Sequence, residues 1–377
     1  MAQGVEYRVA PTAAGERLRA IEQARRRWLL HEGAAPASAA VEPWIVASWQ
    51  RCLAWGRSPR ERITFDAVSA AAQRRALQAS AELRRVAIPV IEQTLGRAMH
   101  DTGYFALLTN ADGVIIDVHG PVDDHNVHVH AIARVGVDLS ERTVGTTAIG
   151  AALAELTPVW LHRGEHFFED TAVYSCAGAP LWGPDGACLG MLDLTGVLAP
   201  ERRALKHLVA VTARRIENAL VLAQSHTLRL RLTWPGHLPG DDDDGLLALD
   251  GEGMIVAANR TAAHMLDIGA PWPHASEVLA LPVAMLFDAA RRQRPPLEVP
   301  TWGGLRVLVW AQTGGADAGA AVGAAAVPLR SREAALIRQA VAEAGGNVAE
   351  AARRLGISRA TVYRRLAQRR DEPDTAA

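Results

Sequence analysis

The sequence predicts an α+β molecule that closes on an all-α module. Three observations carry this. Apolar residues recur at helical spacing over the first hundred or so positions. From Tyr104 onward, short apolar runs alternate with turn sequences, the signature of strands and hairpins. The stretch from Ser331 to Arg370 returns to helical spacing, with capping residues and glycine stops.

Composition narrows the class. A chain of 377 residues is long for one domain. With 49% hydrophobic and 21% charged residues it reads as soluble and globular. The formal net charge is −1, so any contact with nucleic acid needs positive charge concentrated in one place. The cysteines are Cys52, Cys176 and Cys188. An odd, low number argues against a disulfide framework and fits a reducing compartment, here expected to be the cytoplasm. The N-terminus lacks the apolar core of a signal peptide, and no apolar run approaches the roughly 18–20 residues of a membrane helix. Lys206 is the single lysine; His207 follows it and no glycine loop precedes it, so the sequence has no P-loop.

Residues 1–82 are expected to form an N-terminal helical region, with helical spacing over 13–57 and again from 66. Residues 83–230 are expected to form one α+β domain of sensor size. Leu83, Val86, Val90, Ile91, Leu95 and Met99 recur at three- and four-residue intervals, and Gly103 ends that helix. Residues 104–120 read as strand, turn at Asn110–Gly113, and strand. A histidine-rich loop follows, and then a glycine- and threonine-rich stretch entering a short helix. Further strands lie near 157–167 and 174–196, with a hairpin turn at Gly183-Pro184-Asp185-Gly186. A long amphipathic helix is expected from about Pro200 to Leu230. Residues 231–243 read as a solvated linker rich in Pro, Gly and Asp. A smaller α+β unit spans 244–311: strand, turn at Asp250–Gly253, strand, short helix, and a weaker strand near 305–311. Residues 312–330 are an Ala/Gly-rich tether and 371–377 a tail.

Residues 331–370 divide into three helices. Ser331 is a plausible N-cap of the first, and Gly345-Gly346 stops it. Asn347 caps the second, Gly356 makes the tight turn, and Ser358 caps the third. Leu336, Ile337, Val341, Ala351, Leu355, Ile357, Val362 and Leu366 can close one small core. The forty residues hold nine arginines and three glutamates, a net charge of +6 in a nearly neutral chain. This is a helix-turn-helix, and its third helix is placed to enter the major groove of double-stranded DNA. Asn347, Ser358, Arg359, Thr361, Tyr363, Arg364 and Arg365 are the candidate DNA-binding residues; arginine reads guanine bidentately or holds phosphates. The competing reading is a three-helix oligomerisation module with a solvated basic face.

The stretch GNVAEAARRLGISRATVYRRL closely resembles the Fis-type helix-turn-helix that ends many sigma-54-dependent activators. The N-terminal half resembles the sensory part of the acetoin-catabolism-type activators among them. The matching residues are SWQRC (Ser48–Cys52) with Pro59 downstream, DLSERTVGTTAIGAAL, Glu165-His166-Phe167, Cys176 before Ala179-Pro180, and GACLGMLDLTG with Asp193. They cover about residues 40–220 and imply a GAF-like sensor domain. The stretch at 250–259 looks like the start of a smaller PAS-like domain. Those activators also carry a central ATPase with a Walker motif and a GAFTGA loop. Neither motif stands in this sequence, so ATP-driven melting of sigma-54 promoters is not implied. Thr147 stands where the family usually has Asn.

The resemblance implies a pocket for a small-molecule effector, whose identity the sequence does not name. Phe105, Trp160, His166, Cys176 and Asp193 are the candidate ligand-binding residues; the alternative makes Phe105 and Trp160 core and Asp193 a structural hydrogen-bonding group. His125, His128 and His130 raise a metal site, with His128 and His130 on one side of an extended segment, beside Asp123 and Asp124. A polar loop explains them as well, and no metal or cofactor is assigned. Cys176 and Cys188 flank a hairpin and so raise a redox pair, or a GAF-type methionine-sulfoxide reductase; small core hydrophobes explain them as well. No catalytic residue is assigned. The sequence is therefore read as a cytoplasmic, DNA-binding transcriptional regulator, a homodimer, contacting no membrane and acting by occlusion or through RNA polymerase. The alternative is a truncated partner or antagonist of a full-length sigma-54 activator.

Overall fold

Two helices open the described chain, α1 (Ala13–Leu29) and α2 (Pro43–Ala54). Pro43 occupies the first turn of α2, where its missing N–H is no loss. Next come α3 (Ala70–Ala79), whose N-cap Ser69 accepts from the Ala72 N–H, and α4 (Ala81–Thr102). The buried face of α4 is Leu83, Val86, Ala87, Ile91, Leu95 and Met99, close to the spacing read from the sequence. Gly103 ends it in the left-handed region at φ 70°. The structure, a computed structural model, describes residues 13–30, 41–123, 125–237, 239–314, 341, 347–354, 357–359 and 361–362. The chain divides into two units, Met1–Ala318 and Gly319–Ala377.

The first unit contains two five-stranded antiparallel sheets, so the α+β class read from the sequence holds. The first sheet is built from β1 (Phe105–Asn110), β2 (Ile115–His119), β3 (Val159–His162), β4 (Tyr174–Trp182) and β5 (Cys188–Val197), in the order β2-β1-β5-β4-β3. The hairpin turn expected at Gly183–Gly186 joins β4 to β5, with the Gly183 N–H donating to Ala187 O. Between β2 and β5 lie α5 (Val127–Ile132), α6 (Glu141–Val144) and α7 (Ala148–Glu155), and after β5 runs α8 (Ala204–Leu222).

Register decides which side chains share a face. Leu107 pairs with Asp193, and Asp193 with Gly178; Phe105 pairs with Thr195, Thr195 with Cys176, and Cys176 with Leu161. Side chains alternate along a strand, so these residues lie on one face. The opposite face carries Ala106, Leu108, Leu192, Leu194, Ala177 and Trp160, and packs under α4 and α8. The first face is covered by α5, α7 and their loops, through Val129, Ile132, Leu139 and Ile149. Gly178 makes the close cover possible: a Cβ there would lie 2.5 Å from Met191 Cε and 3.1 Å from Ala148 O, so α7 could not sit as near.

The structure departs from the sequence expectation after Leu222. The helix expected to reach Leu230 stops there, and β6 (Leu228–Thr233) follows. Residues 231–233, expected to begin a linker, belong to a strand. The physical reason is visible in LRLRLT: Leu228, Leu230 and Leu232 are fully buried and alternate with half-buried Arg229 and Arg231, a period of two. With β7 (Gly245–Leu249), β8 (Ile255–Ala258), β9 (Leu297–Pro300) and β10 (Arg306–Thr313), β6 forms the second sheet in the order β8-β7-β6-β10-β9. Its centre is thus the strand that comes first in sequence. α9 (Arg260–Leu266), α10 (Ala275–Val278) and α11 (Val283–Arg291) accompany this sheet, and Leu266 and Leu286 join its core. Asn259 fastens the sheet to α8. Its Nδ2 donates to Asn218 Oδ1 at 2.7 Å and Asp244 O at 2.8 Å, while its Oδ1 accepts from the Leu246 and Ala262 N–H groups.

The histidine-rich segment is also different from expectation. His128 and His130 lie in α5, capped by Asn126, and not in an extended segment, so the alternation that paired them does not apply. Cys176 and Cys188 are both free. Cys188 pairs with Trp182, six residues along β4 from Cys176, which at about 3.3 Å per residue puts the two roughly 20 Å apart, beyond disulfide reach. Among the described residues no helix is long and apolar enough to cross a membrane.

In the second unit, α12 (Val348–Arg354) has Asn347 at its start, whose Oδ1 accepts from the Ala349 N–H at 3.1 Å and the Glu350 N–H at 3.2 Å. Ser358 Oγ accepts from the Thr361 N–H at 3.1 Å, so two of the three expected caps are made, and the third, Ser331, lies outside the described residues. Ala352 and Val362 are buried together against Val341, Val348 and Ile357. Leu336, Ile337, Leu355 and Leu366, and the side chain of Ala351, lie outside the described residues.

Candidate functional site

The covered face of the first sheet contains a cavity of about 20 Å³. Much of its wall is apolar: Phe65, Leu107, Ile132, Leu139 and Ile149. Into this wall the strands set a polar cluster. Asp193 and Thr195 come from alternate positions of β5, Cys176 and Tyr174 from alternate positions of β4, and His166 from the turn after β3. Thr147 and Thr171 complete the polar lining.

His166 Nδ1 lies 2.9 Å from Arg163 O, so Nδ1 carries the proton and Nε2 is left to accept. Burial pulls the imidazole down to about 4, so it is neutral near pH 7. Nε2 lies 3.6 Å from Cys176 Sγ, which lies 3.2 Å from Thr195 Oγ1. Burial pushes the Cys176 thiol well up, and the nearby Asp193 carboxyl adds to this, so it is an unreactive thiol at neutral pH. Thr195 donates to Asp193 Oδ2. Asp193 is 1% exposed, and its other oxygen, Oδ1, is buried with no hydrogen-bond partner among the described residues. Burial pushes its carboxyl up to about 7, against a smaller lowering by the Thr195 hydroxyl.

Of the five ligand-binding candidates, the fold brings together His166, Cys176 and Asp193. Phe105 is on the same face but behind the cavity wall, in the apolar cluster. Trp160 is on the wrong face, because it is one residue from Leu161 on β3. It packs under α4 and α8, with Nε1 3.4 Å from Glu201 Oε1. Tyr174 and Thr195 were missed, although each lies two residues from a chosen one on the same strand, and strand alternation would have found them. The contributions of Phe65, Ile132 and Leu139 come from loops and α5, and no local pattern announces them.

The turn that carries His166 is held from outside by the N-terminal helices. From α1, Arg25 Nη1 donates to Gly164 O at 2.9 Å and to His166 O, and Nη2 to Phe167 O at 3.0 Å. From α2, Trp49 Nε1 donates to Glu165 O at 2.9 Å. Four consecutive carbonyls, 164 to 167, are thus satisfied by two side chains. Arg17 pairs with the buried Glu165 carboxylate. The SWQRC stretch also reaches the α6–α7 segment. Ser48 Oγ lies 2.6 Å from Thr146 Oγ1 and also donates to Glu141, which Arg51 holds with two bonds at 2.8 and 2.9 Å. Thr147 beside it caps α7, accepting from the Gly150 N–H at 3.1 Å.

In the second unit Asn347, Ser358 and Arg359 are exposed and Thr361 is half-buried. Tyr363, Arg364 and Arg365 lie outside the described residues.

Residues 19–218, which hold both the cavity and its N-terminal clasp, match the family described as MimR, N-terminal domain. The chain belongs to this family. Residues 328–368 match the Fis family of bacterial regulatory proteins. The acetoin catabolism regulatory protein of Cupriavidus necator is 29% identical over 251 residues, which are 65% of this chain and 37% of that protein. The signal-transduction and transcriptional-control protein of Clostridium beijerinckii is 28% identical over 198 residues, 51% of this chain and 30% of that protein. This chain therefore spans about a third of the length of these curated relatives. A solved structure, the Escherichia coli DhaR(N)–DhaL complex, superimposes with a TM-score of 0.45 at 17% identity, over 72% of this chain and 100% of that one.

This member of the MimR family thus joins a MimR-type N-terminal domain to a helix-turn-helix of the Fis family of bacterial regulatory proteins.

Proposed function

We propose that the cavity of the first sheet is the effector site, and that the chain answers a bound small molecule by changing how residues 331–370 engage DNA. The observation that carries this is the convergence of His166, Cys176 and Asp193 on one interior cavity. The proposed DNA contacts are Asn347, Ser358, Arg359, Thr361, Tyr363, Arg364 and Arg365, with Asn347 and Ser358 also acting as caps. We further propose that regulation needs no ATPase in this chain. The sequence has no P-loop, and only residues 314–327 separate β10 from the Fis-type match, too few for such a domain. A homodimer is proposed because one short recognition helix buries too little surface for high specificity. The test is footprinting of the purified chain, alone, on sites selected from random DNA. Protection of a discrete site supports the proposal. Protection only when a full-length sigma-54 activator is added would replace it with an accessory role.

A further inference from the structure

We infer that the cleft between α8, the β6–β7 loop and α9 is a second small-molecule site, which takes a carboxylate carrying a short hydrocarbon chain. This cleft is separate from the cavity of the first sheet, and its ligand does not depend on what that cavity binds.

The cleft measures about 840 Å³, within the usual range of small-molecule sites, and elements of both sheets wall it. Its apolar wall includes the buried Ala179, Pro180, Ala213 and Met265. Glu217 of α8 and Thr233 at the end of β6 are buried polar groups of the same wall. Thr233 is 4% exposed, and its Oγ1 is buried with no hydrogen-bond partner among the described residues. A buried hydroxyl left in this way is costly, and a ligand oxygen that takes its hydrogen recovers that cost. Arg214 of α8 and Arg260 of α9, both half-buried, complete the charged lining at this depth. Both act electrostatically on the Glu217 carboxyl.

The sign of the ligand's charge follows from which protein charges are already answered. Arg214 pairs with Asp243, and Arg231 with the buried Asp244. Arg260 has no carboxylate partner among the described residues; it donates to Leu156 O at 3.4 Å and lies over the Trp182 ring at 4.9 Å. Asp241 also has no ion pair among the described residues, but it is exposed, where water and salt screen it. The unanswered charge inside the cleft is therefore positive. An ammonium would set its charge against Arg260 and Arg214. A carboxylate can accept from Arg260 and from the Thr233 hydroxyl. Glu217 makes the site sensitive to pH. Its Oε1 accepts the Trp182 N–H at 3.2 Å. Burial pushes its carboxyl up to about 7, against smaller lowering by that N–H, Arg260 and Arg214. As an acid it can donate a further hydrogen bond to the ligand, and as a carboxylate it repels it. The exposed His237 and His264 and the three aspartates are the other titratable groups of the lining.

Hexanoate supplies the carboxylate and the chain, hexanamide the same shape without the charge, hexylammonium the opposite charge, and inorganic phosphate an anion without a chain. Titration calorimetry on the full chain at pH 6 should show hexanoate binding and the other three binding at least about tenfold more weakly, the ratio expected for losing a hydrogen bond to a charged group or the burial of the chain. Arg260→Met, which keeps a chain over Trp182 and removes the charge, should lose at least about tenfold in hexanoate affinity. Asp243→Asn frees Arg214 and should bind hexanoate up to about fivefold more tightly, the ceiling for an exposed ion pair. A gain of that kind does not come from misfolding, and circular dichroism checks the other variants. From pH 6 to pH 8 the parent should lose about tenfold, as the acid form of a carboxyl near 7 does, while Glu217→Gln should keep its affinity. No binding of hexanoate, equal or tighter binding of any of the other three molecules, unchanged affinity in Arg260→Met, weaker binding in Asp243→Asn, or a pH loss that persists in Glu217→Gln would each overturn the inference.

Discussion

Asp193 is held in a setting where its charged form is disfavoured, and that has a thermodynamic sign. Its carboxyl is pushed from the ordinary 3.8 up to about 7 in the folded chain, chiefly by burial. Between those values the folded state binds more protons than the unfolded one, so this group makes stability fall as pH rises from about 4 to about 7, and level off above. Asp193→Asn removes that term. Its stability relative to the parent should climb over the same window, by no more than about 4 kcal/mol, as read by urea denaturation at a series of pH values. A difference that stays flat across the window would show that Asp193 is not buried as described. Only the difference is diagnostic. Glu165 and Glu217 are also pushed up to about 7, while the neutral His166 works in the opposite direction, adding stability as pH rises. At this scale the sequence announced residue types but not faces. Asp193 and Cys176 were legible as polar or sulfur-bearing groups in strands. Whether Trp160 or Leu161 pointed at them depended on a one-residue register that only the paired sheet settles.

The elements show where local pattern suffices and where it does not. α4 was readable because six apolar residues keep its period and Gly103 closes it. β6 was equally marked by LRLRLT, yet it follows directly on the apolar face of α8, and helical spacing extended through it conceals the change of period. Leu230 is fully buried at the middle of that strand, so Leu230→Ala should cost about 2–5 kcal/mol in chemical denaturation. A cost below about 1 kcal/mol would return the segment to the status of a linker. The clasp by α1 was not legible at all, since Arg25 meets residues about 140 positions away. Arg25→Ala leaves three carbonyls of the His166 turn without their donor. It should destabilise the first unit by about 2–4 kcal/mol and raise amide exchange across 163–168. Exchange unchanged in that turn would mean that α1 lies against it without holding it.

Across the whole chain, positive charge is concentrated in one stretch. A chain of net charge −1 keeps +6 within residues 331–370. In the proposed function, contact with the phosphate backbone falls to this module and should give binding a steep salt dependence. Arg364→Ala and Arg365→Ala should each cost about 1–3 kcal/mol in site affinity where the arginine reads a base, and flatten the salt slope by about one where it holds a phosphate. Fluorescence anisotropy at several salt concentrations separates the two. Full affinity and an unchanged slope in both variants would displace the recognition helix from this position.

The short passage from α8 into β6 bears on how such regulators can be recombined. Five residues separate the end of α8 from a strand hydrogen-bonded on both edges, to β7 and β10. A crossover placed at residue 231, where the Pro- and Gly-rich sequence invites it, would split a central strand and give each parent half of it. Sensor exchange between relatives therefore has its safe seam after Thr313, since α8 also belongs to the core of the first sheet. The two sheets, for all that they read as separate modules, would then be exchanged as one piece.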